Sequence, residues 1–194
     1  GYIVLGLVVK RASGRSLREF ADQEIFTPLG MTRTHFHDDH TMLVADRARS
    51  YEPTGEQRWK LADWNNDLVG QGGLMTTVED LAKWDANFET GRVGGAGFLA
   101  QQLERGRLND GNSTTYAFGL TIGEFRGIGT GEHGGSSGGY RAQITRFPSA
   151  RTTVTALCNA TNAQPGRIAE RIAEVVLERE LGARVATANA GIGP

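Results

Sequence analysis

Two short stretches hold most of the residues that could do chemistry. The first is EHGGSSGGY, Glu132 to Tyr140, which sets four glycines and two serines behind His133, the last histidine of the chain. Gly134-Gly135-Ser136-Ser137-Gly138 reads as G-x-S-x-G, in which a serine on a sharp strand-to-helix turn would attack a carbonyl. That chemistry needs its partners in the order Ser, Asp, His. The histidines are 35, 37, 40 and 133, all upstream of Ser136. The residues that follow, Tyr140 to Phe147, alternate with the period of a strand and do not open a helix. Ser136 is therefore not an elbow nucleophile. Taken alone, the segment reads as a glycine-rich β-turn with a surface histidine.

The second stretch is HFHDDH, residues 35 to 40, a literal H-x-H-x-D-H. It resembles the zinc-binding spelling of metallo-β-lactamase-like hydrolases, where neutral imidazoles and a carboxylate hold metal beside a hydroxide. The candidate ligands are His35, His37, Asp39 and His40. A complete site of that kind needs two further histidines and an aspartate from later loops, and only His133 remains. The strand that should feed the motif is missing from the pattern as well. The plainer reading is a solvated loop in which His and Asp close turns, and no metal is expected.

These residues must be carried by elements that the periodicity predicts. The chain opens with an apolar run, Ile3, Val4, Leu5, Leu7, Val8 and Val9, that reads as a buried helix closed by Lys10, Arg11 and Gly14. It is too short to span a bilayer. Ser16 and Glu19 form a capping box for a second helix, with Leu17, Phe20, Ala21 and Ile25 on one face and Thr27-Pro28 as its stop. Residues 29 to 75 show no sustained period and read as a long packed excursion carrying Trp59 and Trp64. From Thr76 or Thr77 a helix runs to about Phe88, its stripe apolar apart from Asp85, and Gly91 stops it. A shorter helix covers Phe98 to Leu103.

After that the period changes to two. Residues 116–125, the segment around Glu132 to Gly135, 140–147 and 152–160 read as strands, with Pro148 to Arg151 as a hairpin turn. Pro165 sits near the start of a last helix that points Ile168, Ile172, Val175 and Leu181 inward and ends at Gly182. The pattern is α+β, an antiparallel sheet covered by helices. It divides into a helical and loop-rich region (1–115), strands plus a C-terminal helix (116–182) and a flexible tail (183–194).

The charge balance narrows the partners. The chain's 194 residues carry 21 Lys and Arg against 22 Asp and Glu, without long runs of one sign. That excludes a basic nucleic-acid footprint and a membrane-surface helix. The single cysteine, Cys158, excludes an internal disulfide.

Four segments taken together resemble the serine β-lactamase-like family, which includes class C β-lactamases, D-alanyl-D-alanine peptidases and related esterases. Residues 1–34 resemble the family's helix pair ending in P-L-G-M, and GQGGLMTTVEDLAKW (70–84) its G-x-G-G-L-x-S/T-x-x-D-L segment. YAFGL (116–120) is similar to its Y-G-x-G strand start, and HGGSSGGY (133–140) to an H-x-G variant of the K-T-G strand. The resemblance implies a β-lactamase/transpeptidase-like fold whose H-x-G segment is an inner edge strand facing the site. It gives His133 the lysine's position, polarising the reacting group or binding a substrate carboxylate. It makes Gly134, Gly135 and Ser137 substrate-binding residues and turns the N–H of Ser136 into an oxyanion-hole donor. The implied ligand is a small ester, amide or β-lactam, with no cofactor.

The chain also departs from the family. No serine is followed three residues later by lysine, so there is no S-x-x-K nucleophile helix, and no Y-x-N occurs. The resemblance implies that the chain begins just after the second of these motifs, is incomplete at its N-terminus and is inactive alone. TTVTALCNA would then present an unpaired strand edge, to be covered by the missing N-terminal segment or by a homo-oligomer. A non-catalytic binding or scaffolding domain of the same fold is the alternative of a different class.

Overall fold

A computed structural model of the chain describes residues 1–63 and 65–182. Helix α1 (Tyr2–Ser13) ends on Gly14, whose left-handed φ of 75° lets its N–H close on the Lys10 carbonyl. Ser16 caps α2 (Leu17–Ala21) through a full capping box with Glu19. Thr27-Pro28 does not stop this second helix. The chain continues through a π-helical turn (Asp22–Phe26) into the single turn α3 (Thr27–Leu29), where Pro28 sits among the first residues that need no N–H partner, and Gly30 ends it.

The aperiodic excursion holds four short strands. β1 (His35–Phe36) pairs antiparallel with β4 (Leu74–Met75), and β2 (Tyr51–Gly55) with β3 (Arg58–Leu61). Such strands are too short for periodicity to reveal. Helix α4 (Val78–Thr90) starts on a Thr77 cap and ends at Gly91, as the sequence predicts. α5 runs over Gly95–Gln102.

Four strands form the main antiparallel sheet in sequence order: β5 (Thr121–Phe125), β6 (Ile128–Ser137), β7 (Tyr140–Phe147) and β8 (Thr152–Cys158). β5 starts five residues later than the pattern predicts. Residues 116–120 instead turn through Gly119 (φ 82°), closed by a bond from Ala117 N–H to the Leu120 carbonyl. The Pro148–Ala150 turn is 3₁₀, with Arg151 in the left-handed region.

Each face of the sheet carries a helix. Ile128, Phe147 and Val154 pack against Ala169 and Ala173 of α6 (Pro165–Val176) and against Leu177 just after it, the larger of the two buried apolar clusters among the described residues. A side chain the size of Phe147 contributes about 1.5–3 kcal/mol on full burial. Here the sequence reading of α6 is corrected. The buried stripe is Ala169, Ala173 and Leu177, whereas Ile168 and Ile172 stand about two-fifths exposed and Val175 is 77% exposed. Small residues face inward because they let the helix axis approach the sheet closely. α4 covers the opposite face. Its lone polar stripe residue, Asp85, accepts from Arg146 of β7 at 3.0 Å and from Thr153 of β8 at 2.7 Å.

Helix α1 also corrects the sequence. It has no buried residue, and Val4, Leu5, Leu7 and Val8 are each more than half exposed. No helix among the described residues is long and apolar enough to cross a membrane. The expected flexible tail, 183–194, lies outside the described residues.

Candidate functional site

Strand β6 is built to leave part of its backbone open. The β5–β6 turn is Arg126-Gly127, both with positive φ (49° and 86°), and the β6–β7 turn is Gly138-Gly139, with φ 53° at Gly138. Two-residue turns of this kind make the flanking residues a hydrogen-bonded pair, so Phe125/Ile128 and Ser137/Tyr140 each exchange bonds. Counting by twos from the first turn aims the amides of Ile128, Thr130 and Glu132 at β5. Counting back from the second aims those of Ser137, Gly135, His133 and Gly131 at β7. The two counts agree. Gly134 and Ser136 therefore direct N–H and C=O toward the β5 side, and β5 has already ended at the Thr121–Glu132 pair. No backbone bond from another described segment reaches them. β6 is thus interior as far as Glu132 and an edge strand only from His133 onward, which refines the expectation of an edge strand.

Side chains sort by the same alternation. His133 lies opposite Ile144 and shares its face with Gly135, Ser137 and Arg146, the α4 side. Ser136 and Gly134 lie on the other face. The Ser136 hydroxyl is thus on the wrong side of the sheet to work with His133, while its amide is at the open edge beside it. Gly134, Gly135 and Ser136 are all exposed, and the two glycines carry no side chain to cover the edge. Next to Ile144 a cavity of ≈ 160 Å³ opens between α4 and the sheet, lined by Trp84, Phe88, Leu103, Leu120 and Arg146.

His133 has Tyr116 as its aromatic neighbour, with Tyr2 behind it; neither is among the site residues that the sequence suggests. The Tyr116 hydroxyl lies 3.2 Å from His133 Nε2, and the Tyr2 hydroxyl 3.2 Å from that of Tyr116. Burial first, and then the Tyr2 hydroxyl, push the Tyr116 phenol up to about 12. Tyr116 is anchored through its backbone: its carbonyl accepts from Gly106 N–H at 2.9 Å and from the Thr114 hydroxyl at 2.8 Å. Tyr2 is placed by Gly70. A Cβ on Gly70 would stand 2.7 Å from the Tyr2 carbonyl oxygen, so only glycine lets that segment lie against the first turn of α1. One signal was available in the sequence: both tyrosines open motifs, GYIVLG and YAFGL.

The hairpin tip is moored by the β2–β3 ribbon. Gly139 donates to the Ala62 carbonyl at 2.8 Å, and a Cβ there would meet Ser50 Cβ at 2.7 Å. The Tyr140 hydroxyl donates to the Ala48 carbonyl at 2.7 Å. Tyr140 is thus a strut. Trp59 is about half exposed on β3, and Trp64 lies outside the described residues.

The H-x-H-x-D-H stretch does not assemble into one site. His35 Nε2 and His37 Nδ1 face each other at 3.3 Å, and His37 is only 3% exposed. Burial, then the nearby Arg18 for His35 and Arg47 for His37, holds both imidazoles below their ordinary value. His40 turns away to Asp67, with 2.9 Å between Nδ1 and Oδ1. Among the described residues the one group that could hold a metal is Asp39, His40 and Asp67. All three are exposed, and Asp39 is occupied by the amide and hydroxyl of Thr41. A hydrolytic zinc centre of His35, His37, Asp39 and His40 has no support, because the four do not converge.

A family model, Beta-lactamase, matches residues 1–177. The chain belongs to that family. It is 24% identical over 156 residues to a D-aminopeptidase of Brucella anthropi, covering 80% of this chain and 30% of that one. It is 23% identical over 174 residues to penicillin-binding protein 4* of Bacillus subtilis, covering 82% of this chain and 38% of that one. The fold superposes on the octameric penicillin-binding protein homologue from Pyrococcus abyssi with a TM-score of 0.80 at 26% identity, over 93% of this chain and 43% of the other. The chain spans about a third of the length of the curated relatives it matches. Within this Beta-lactamase family member, the G-x-G-G-L segment lies against Tyr2 through Gly70, and the H-x-G strand carries His133 beside Tyr116.

Proposed function

We propose that this chain is the C-terminal, substrate-holding part of a serine hydrolase that cleaves esters, amides or β-lactams through an acyl-enzyme. The observation that carries the reading is the open edge at Gly134 and Ser136 beside His133. An extended acyl substrate can add to that edge as a strand would, its carbonyl oxygen accepting from the Ser136 N–H. When a serine hydroxyl attacks the carbonyl carbon, negative charge collects on that oxygen. An aimed amide donor is worth about 3–4 kcal/mol at that moment. His133 supplies the neighbouring imidazole, for the reacting group or a substrate carboxylate. Gly135 lets the ligand approach the backbone, and the Ser137 hydroxyl lies on the ligand side.

The nucleophile and its lysine come from a segment that precedes this one. Two features support this besides the missing S-x-x-K. The outer edge of β8 has no strand partner among the described residues, and the Ile168, Ile172 and Val176 stripe of α6 stands exposed. The apolar side of α1 is uncovered too. These are surfaces that an accompanying segment, or a second copy, would bury. A monodisperse monomer of the 194 residues in light scattering, soluble with these faces open, contradicts this part of the proposal.

The catalytic part is tested by intact-mass analysis after a fluorophosphonate probe. The 194-residue chain should take no adduct, and a longer protein supplying S-x-x-K should take one on that serine. An adduct on this chain alone overturns the reading. In the longer protein, Ser136→Ala should acylate at nearly the normal rate, whereas Ser136→Pro, which removes the N–H, should lose about 10²–10³-fold. A binding or scaffolding domain of the same fold is favoured by one observation, the missing nucleophile motif, and predicts no labelling in either form.

A further inference from the structure

Tyr2, Tyr116 and His133 come from three separate parts of the chain, yet their polar atoms form a line. The spacing is 3.2 Å from Tyr2 Oη to Tyr116 Oη and 3.2 Å from Tyr116 Oη to His133 Nε2. The Tyr116 and His133 rings meet edge to face, with centroids 6.1 Å apart and planes at 64°. Apolar burial does not explain the arrangement, because Tyr2 is 42% and Tyr116 36% exposed. Exposed phenols ordinarily turn to water. Here the Tyr2 hydroxyl is aimed at that of Tyr116, and the Tyr116 hydroxyl at an imidazole for which the structure gives no other hydrogen-bond partner among the described residues. The parts that aim them are rigid: Gly70 seats Tyr2 against the 70–75 segment, and two bonds to the Tyr116 carbonyl fix that residue.

We propose that Tyr116, itself held by Tyr2, is the positioning residue of His133: its hydroxyl engages Nε2, holds the imidazole in one tautomer and one orientation, and leaves Nδ1 as the nitrogen that meets a ligand. The inference rests on the reading of His133 as a site residue, and adds which of its nitrogens acts and what selects it. Once its proton is committed to one side, the Tyr116 hydroxyl presents Nε2 with either a donor or an acceptor, and that choice fixes the tautomer. Tyr116 keeps its proton throughout the neutral range, as an ordinary phenol does. The second hydroxyl, from Tyr2, removes the choice that a lone phenol would have of rotating its O–H toward solvent. This is the arrangement by which the bond at one ring nitrogen decides what the other can do.

The test needs no catalysis, so its outcome is separate from that of the probe experiment. Long-range ¹H–¹⁵N spectra of the uniformly labelled protein, together with the accompanying segment or second copy that covers its open faces, read the tautomer of each histidine, and His133→Gln assigns the signals. In the unaltered chain at neutral pH, His133 should show one protonated and one unprotonated nitrogen. In Tyr116→Phe the two nitrogens should move toward a common, averaged position, while Tyr2→Phe should give a smaller movement the same way. An averaged His133 in the unaltered chain, or an identical pattern in Tyr116→Phe, overturns the proposal. Should Tyr116→Phe fail to fold, Tyr2→Phe decides: its ring sits at the surface, and an unchanged His133 in that variant overturns the relay.

Discussion

The two histidine-bearing stretches of this molecule invert what their spelling suggests. HFHDDH has the residue types of a metal site and is folded in on itself, with His35 against His37, whose Nε2 is buried without a hydrogen-bond partner, and His40 against Asp67. HGGSSGG offers one histidine among glycines and is open, with Gly134 and Ser136 presenting unpaired amides next to an exposed imidazole. The difference teaches that chemistry follows from what the neighbours leave both unsatisfied and reachable: the bare Nε2 of His37 is sealed in, whereas the amides at Gly134 and Ser136 are exposed. A side chain whose polar atoms are used by the fold is a structural part, whatever motif it belongs to.

The largest effect should come from breaking the closed region. Asp80 is 1% exposed and accepts from Arg33 N–H at 2.7 Å, the Thr34 hydroxyl at 2.9 Å and Lys83 Nζ at 2.8 Å, which ties α4 to the residues just before His35. Asp80→Ala leaves the Arg33 N–H without its acceptor and takes one of two partners each from Thr34 and Lys83, and should cost about 3 kcal/mol in urea unfolding. A loss under about 1 kcal/mol would sink the claim that this network fixes the closed loop.

A smaller loss should follow from unmooring the open region. Gly139→Ala drives a Cβ to 2.7 Å from that of Ser50, so the hairpin tip must shift from the β2–β3 ribbon. The expected cost is about 1–3 kcal/mol, measured by the same unfolding curves. Unchanged stability would mean that the ribbon does not hold the hairpin.

The two regions should also differ in their response to acid. His35 and His37 are held below the ordinary histidine value of 6.5. The unfolded chain therefore takes up protons that the folded loop refuses. Their contribution to stability is complete above about pH 6.5 and is lost as the pH falls below it toward their folded values. Unfolding followed from about pH 7 to about pH 5 should show stability falling, and a His35→Asn, His37→Gln double variant should flatten that slope. A slope that survives in the variant assigns the effect to other groups.

The smallest effect belongs to His133. It is exposed and outside the buried clusters, so His133→Ala should change stability by no more than about 0.5 kcal/mol. A larger loss would make it a structural residue like the other three and erase the contrast.

Much of the architecture could be read without the structure because it rests on local rules. The Ser16 capping box, the Thr77 cap, the glycine stops at 14 and 91 and the strand at 140–147 are set by nearby backbone chemistry and periodicity. The local rules failed where packing overrides them. Thr27-Pro28 lies inside a helical segment because its prolyl residue lands in a turn where no donor is missed. α6 turns alanines inward because close approach to the sheet outweighs side-chain size. The four strands of the 35–75 region are too short for any period to show.

For the site, the sequence by itself determined the parts: His133, the glycines that clear the β6 edge, and the two turns whose lengths set which amides face it. Those follow from residue type and from counting by twos. Only the tertiary structure decided where β5 ends, that His40 is used up by Asp67, and that Tyr2 and Tyr116 line up on His133. The last two are contacts between residues 17 or more positions apart, and such contacts depend on how whole elements pack and leave no trace in a local pattern.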